Sequence, residues 1–147
     1  MNVTLRPSER LVIDASVAVK WVVPEPVSER AELLLDHGLV APDLLFAECA
    51  NVLWEKVRRG ELTKEEAEIA AQTLEQADLA VVSTRDCLAL AASIAVELDH
   101  PAYDAVYLAV AEASDLRLVT ADERLVRKVQ TGQNRFRHRL VALSEIA

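Results

Sequence analysis

The chain has 147 residues, enough for one domain, and 52% of them are hydrophobic, so a full core needs neither disulfides nor a structural metal. A net charge of -8, from 24 acidic against 16 basic residues, speaks against a passive nucleic-acid binder with a basic surface. It leaves open an enzyme whose carboxylates gather divalent cations. No apolar stretch reaches the length of a membrane span, and Met1 to Arg10 lacks the apolar segment of a signal peptide, so a cytoplasmic protein with no membrane partner is expected.

Leu11-Val12-Ile13 reads as a short buried strand. Ser16 is suited to cap a helix that runs to Val23 and stops at Pro24. A second helix fits Val27 to His37, ended by Gly38, and Leu39-Val40-Ala41 follows as a brief strand. A long helix fits Asp43 to Arg59, with Gly60 behind it. Thr63 and Glu66 make a capping box for a helix reaching about Ala77, and Leu79 to Val82 reads as a strand. Asp86 to Leu98 is helical, Pro101 opens another helix to about Ser114, and Arg117 to Thr120 is a strand. A short helix over Asp122 to Gln130 and a strand at Leu140 to Leu143 complete the order. Short apolar strands alternating with helices predict an α/β fold, a parallel sheet covered on both faces. Sites in such sheets form at the carboxyl ends of the strands.

Asp14 directly follows the first strand, where it either faces a crevice or simply starts the next helix. Glu48 shares a narrow polar stripe with Asn51 and Glu55 on a helix otherwise apolar nearly all round, so the stripe faces either solvent or a cleft. Asp104 is the most telling acid, because Ala102 to Ala111 is apolar around its whole circumference apart from Asp104 and the tyrosine hydroxyls. A carboxylate buried there must be protonated, paired or bound to a cation, unless it is a first-turn acid held by the helix dipole. Asp122 follows the strand ending at Thr120; a capping box of Thr120 and Glu123 would make it an ordinary first-turn acid. Each acid alone has an ordinary explanation. Two acids just past strand ends, with two more on largely apolar helices, are better explained by one site. Hard divalent cations prefer oxygen ligands. One or two of them can activate water, align the attack and stabilise the leaving oxygen in phosphodiester hydrolysis.

In this order and spacing the motifs resemble those of PIN-domain nucleases. Val12-Ile13-Asp14-Ala15-Ser16-Val17 is similar to their first motif, and Glu48 with Asn51 three residues on to the second. Tyr103-Asp104-Ala105 with Tyr107-Leu108-Ala109 is similar to the third, and Leu118-Val119-Thr120-Ala121-Asp122 to the fourth. The match runs from about Leu11 to Leu143. The resemblance implies a Rossmann-like three-layer fold, and residues 1–147 as a single domain with a core over about 11–143. It also implies a Mg²⁺ or Mn²⁺ site in which Asp14, Glu48, Asp104 and Asp122 are metal ligands and catalytic residues, supported by Ser16, Asn51 and Thr120. Within the family the chain looks most like the VapC-type toxins. That implies an endoribonuclease acting on RNA, a cognate antitoxin that occupies the acidic groove, often with an arginine, and a homodimer.

Other features carry less. Arg58 and Arg59 close the long helix, and Arg135, Arg137, His138 and Arg139 cluster late; they contact RNA phosphates or serve a helix dipole and a solvated loop. His37, His100 and His138 lack ligand spacing and are assigned no part in catalysis. Cys49 and Cys87 read as reduced core thiols, and Trp21 and Trp54 as core or partner-facing. Two alternatives remain. A Mg²⁺-binding phosphoacceptor domain would show adjacent acids at the first strand and a lysine at a late strand end, yet no Lys follows Thr120 before Lys128. A non-catalytic PIN-fold binding module would not need all four acids.

Overall fold

Strands β1 (Leu11–Ile13), β2 (Leu39–Pro42), β3 (Leu79–Val82), β4 (Arg117–Thr120) and β5 (Leu140–Ala142) form one sheet in the order β3-β2-β1-β4-β5. All its pairings are parallel. The structure is a computed structural model and describes residues 2–147. The chain steps outward from β1 to β3, then crosses back to lay β4 on the other side of β1. The order reverses between β1 and β4, which is where a parallel sheet opens a crevice at its carboxyl edge. Leu11, Val12 and Ile13 pair with Arg117, Leu118 and Val119, so the next residues, Asp14 and Thr120, leave the sheet side by side.

Among the described residues seven α-helices flank the sheet: α1 (Ala15–Ala18), α2 (Ser28–Leu33), α3 (Leu44–Arg58), α4 (Lys64–Glu75), α5 (Leu88–Leu98), α6 (Ala102–Ser114) and α7 (Glu123–Thr131). The strands β1, β2 and β5 are buried throughout, as expected for a sheet covered on both faces, whereas β3 is the half-exposed edge. Helix α6 is the most enclosed: Ala105 to Ala111 are all buried, packed against β1, β2 and β4. No helix among the described residues is long and apolar enough to cross a membrane.

The expected elements are present, with local differences that have physical causes. Ser16 does not cap the first helix. Asp14 does, accepting the Val17 amide, and α1 passes after one turn into a 3₁₀ turn over Val19–Trp21. The second helix starts at Ser28, behind Val27 in the left-handed region (φ 58°), and tightens to a 3₁₀ turn over Leu34–Asp36. A 3₁₀ turn over Thr84–Cys87 takes the first residues of the helix expected from Asp86. The capping box of Thr63 and Glu66 forms as its sequence demands. A capping box of Thr120 and Glu123 does not form, because Asp122 caps α7 and the Thr120 hydroxyl is engaged elsewhere.

At the amino edge of the sheet, nearly buried Glu9 accepts Nε and Nη2 of Arg117 at 2.9 and 3.0 Å. This guanidinium holds the Glu9 carboxyl at about 2 instead of 4.5, overcoming the upward push of burial. A depressed acid contributes stability above its unfolded value and loses it as pH falls through the folded value. Glu9→Gln is therefore expected to lower the unfolding free energy by about 1.5–3 kcal/mol near neutral pH. The gap to wild type should close between pH 4.5 and about 2. Urea denaturation across that range checks this; a gap that persists at the acid end would mean a packing effect instead.

A candidate metal centre at the switch point of the sheet

Asp14 is the root of the site. It is 4% exposed, and three donors reach its carboxylate. Ser16 Oγ donates to Oδ1, Thr120 Oγ1 donates to Oδ2, and the Val17 amide reaches Oδ1 at 3.3 Å. Each hydroxyl also accepts a backbone N–H from beyond β4: Ser16 from Ala121 at 2.9 Å, and Thr120 from Asp122 at 3.0 Å. Burial pushes the Asp14 carboxyl up to about 6 from its ordinary 3.8; the Ser16 and Thr120 hydrogen bonds oppose this and the charge of Asp104 adds to it.

The other three acids come from three different helices. Glu48, on α3, is half-buried and accepts the hydroxyl of Tyr107, a fully buried side chain on α6. Burial raises the Glu48 carboxyl above its ordinary range, against the Tyr107 hydrogen bond and with help from the charges of Asp104 and Asp122. Burial and the neighbouring Glu48 carboxylate push the Tyr107 phenol far above its ordinary value, so it remains a donor. Asp104 lies in the first turn of α6, with Oδ2 at 2.6 Å from His100 Nε2. Asp122 caps α7 through Oδ1, which accepts the amides of Arg124 and Leu125 at 2.9 and 3.3 Å.

Asp14, Glu48, Asp104 and Asp122 line one cavity of about 540 Å³, together with Ser16 and Asn51. Thr120 lies beneath it, touching Asp14. Neither Lys, Arg nor His is among the lining residues. Among the described residues, no three His, Cys, Asp or Glu side chains sit together at direct ligand spacing. The acids ring the cavity, as like charges do. Such an all-oxygen donor set suits a hard divalent cation that keeps part of its water shell.

The basic residues lie elsewhere and are largely engaged. Arg135 pairs with Glu97 at 3.3 Å and with Glu112, and stacks on Phe136. Arg139 bonds the Leu116 carbonyl at 2.8 Å and Asp115 at 3.3 Å. Arg58 lies over the Trp54 ring, and Arg59 pairs with Glu55. Cys49 and Cys87 are free and buried, and burial pushes the Cys49 thiol up to about 12. His100 and Tyr107 are the polar neighbours that sequence reading left without a role. A hydroxyl on the buried face of an all-apolar helix needs a partner, and that signal for Tyr107 is present in the sequence; His100 lies before the helix, where spacing alone does not point to Asp104.

Comparison with known proteins identifies the family and the fold. Residues 11–130 match the PIN domain family. The chain is 37% identical over 123 residues to Ribonuclease VapC3 of Pyrobaculum aerophilum, covering 81% of this chain and 94% of that protein. The crystal structure of PAE2754 from the same organism superposes with a TM-score of 0.60 at 23% identity, over 93% of this chain and 91% of that one. A chain of a toxin-antitoxin complex from Klebsiella pneumoniae superposes with a TM-score of 0.61 at 15% identity, over 92% and 99% of the two chains. At these identities the structural likenesses show the fold.

An acid whose folded value is raised favours the fold while protonated, and its contribution declines as pH rises from 3.8 toward about 6. Asp14→Asn keeps the helix cap and removes the charge. Without divalent cations it is expected to be more stable than wild type near neutral pH, by on the order of 1–3 kcal/mol at about 1.4 kcal/mol per pKa unit. The advantage should vanish near pH 4. Thermal melts at both pH values test this. A wild type that is the more stable at neutral pH would show that the hydroxyl donors outweigh burial.

Proposed function

The chain belongs to the PIN-domain family, and on that footing we propose that it is a metal-dependent endoribonuclease of the VapC type, the toxin of a type II toxin–antitoxin pair. The observation that carries this reading is the meeting of Asp14, Glu48, Asp104 and Asp122 around one cavity at the carboxyl edge of the sheet. In this reading the four carboxylates are the metal ligands and catalytic residues. Ser16 and Thr120 hold Asp14 in orientation, and Asn51 offers a neutral amide at the rim. Mg²⁺ or Mn²⁺, when bound, supplies Lewis acidity that activates the attacking water and offsets charge on the phosphate. Tyr107 keeps Glu48 turned to the cavity, and the surrounding apolar residues keep the carboxylates in a low-dielectric setting where their pull on a cation is strong.

The partners follow from the same charges. A cavity of four acids with no cationic side chain in its lining suits an arginine from a cognate antitoxin, because a guanidinium pairs with carboxylates in a fork geometry. Exposed Leu88 and Val96 on α5 are compatible with a second copy of the chain, and the cytoplasm is the compartment that fits an RNA target. The absence of lysine from the cavity lining counts against the phosphoacceptor alternative.

The purified chain, freed of any partner, should cleave structured RNA with Mg²⁺ or Mn²⁺ and stop on addition of chelator. Asp104→Asn should fall to background cleavage while its circular dichroism and thermal transition stay native. Cleavage that continues in chelator, or in that variant, would remove the mechanism.

A further inference from the structure

Among the described residues, Asp104 is held by a single side-chain contact, the one with His100. This contact is built by the link between α5 and α6. Asp99, in the left-handed region (φ 51°), ends α5 and lets the His100 amide turn back onto the Ala95 carbonyl at 3.1 Å. Pro101 then opens α6 and restricts the residue before it to an extended conformation. The imidazole is thereby set over the first turn of α6, one helical turn from Asp104. Its side chain is 14% exposed, and Nε2 stands 2.6 Å from Asp104 Oδ2. An ionised carboxylate only accepts, so Nε2 carries the hydrogen. The other oxygen, Oδ1, takes no hydrogen bond from the described residues.

We propose that His100 is a positioning residue: by holding Oδ2, it fixes the rotamer of Asp104 and leaves Oδ1 as the oxygen offered to the cation. The proposal rests on the metal-dependent reading above and adds a residue to it. Asp104 needs such a partner more than its neighbours do. Asp14 is clasped by two hydroxyls, Glu48 by a buried phenol and Asp122 by two amides. Asp104 has His100 alone. It also faces the charges of Asp14 and Glu48, which would otherwise turn it outward. Groups that hydrogen-bond a metal-ligating side chain typically contribute a factor of about 10–100 in metal affinity or activity.

The test is a Mn²⁺ titration of the protein, followed by calorimetry and by the shift in thermal transition, with RNA cleavage measured in parallel. His100→Ala should weaken Mn²⁺ binding by about 10–100-fold and lower kcat, with KM for RNA little changed. His100→Gln, which keeps an N–H donor at the position of Nε2, should recover most of the affinity. His100→Phe, which keeps the ring without a donor, should not, and it serves the same comparison if the alanine variant fails to fold. In an Asp104→Asn background, His100→Ala should cost nothing further. Unchanged Mn²⁺ affinity in His100→Ala and His100→Phe, or a glutamine variant as weak as alanine, overturns the proposal while a wild type that binds Mn²⁺ and cuts RNA keeps the functional reading. A wild type that neither binds Mn²⁺ nor cleaves sinks both.

Discussion

The structure turns on one buried carboxylate. Asp14 is almost wholly withdrawn from water at the end of β1, and an isolated charge there would be costly. Three protein donors offset part of that cost, and two of them do a second job. Ser16 and Thr120 each donate to Asp14 and each accept a backbone N–H from the segment that leaves β4. The turn after β1 and the turn after β4 thus share one hydrogen-bonded relay. Asp122 is oriented through it, because its amide is bound by the same hydroxyl that holds Asp14. The position of one acid becomes a condition for the position of another, 108 residues later by their numbers in the chain.

Helix α6 supplies the other half of the constraint. Seven consecutive buried residues pin it against three strands, so nothing it carries can drift. Asp104 on its first turn and Tyr107 one turn further are displayed with that rigidity, and Tyr107 passes it on to Glu48 across the cavity. The result is a ring of acids whose supports lie on packed elements, except for His100 on the link between α5 and α6. Their carboxyls, raised at Asp14 and Glu48 chiefly by burial and in smaller part by neighbouring acids, are held in place by the core. A site of this kind is bought with fold stability.

Much of this was legible in the amino-acid order. Parallel strands read as apolar runs, even the half-exposed edge strand β3, so all five stood out, and the acids that follow β1 and β4 were marked by position alone. The acids on helices were legible because apolar surroundings made Asp104 and Glu48 anomalous. Local capping rules misled at Ser16 and Thr120. Both are good caps by type, but a buried carboxylate across the switch point outbids the local amides for their hydroxyls. The break of the second helix at Val27 depends on a left-handed β-branched residue, which no propensity favours. The Tyr107 contact was hidden because its partner lies 59 residues away; that of His100 lies only four residues away, but His100 precedes the helix, so the contact depends on the turn at Asp99 to Pro101.

The net charge, at first an objection to RNA chemistry, takes its meaning from where the basic residues have gone. Arg117 is used by Glu9, Arg135 by Glu97 and Glu112, and Arg139 by Asp115, none of them in the acidic cavity. At the acidic cavity itself a polyanion meets carboxylates and no cationic side chain, although Lys20 and Arg127 line the neighbouring cavity beyond β4 and β5. A divalent cation seated among those acids reverses the local sign. On the proposed reading, affinity for the scissile phosphate is then inseparable from cation binding. On the same proposed reading an antitoxin arginine would be a fitting inhibitor: a guanidinium would satisfy the carboxylates proposed to hold the cation, so that partner and metal would compete for one set of oxygens, and the partner need not resemble RNA at all.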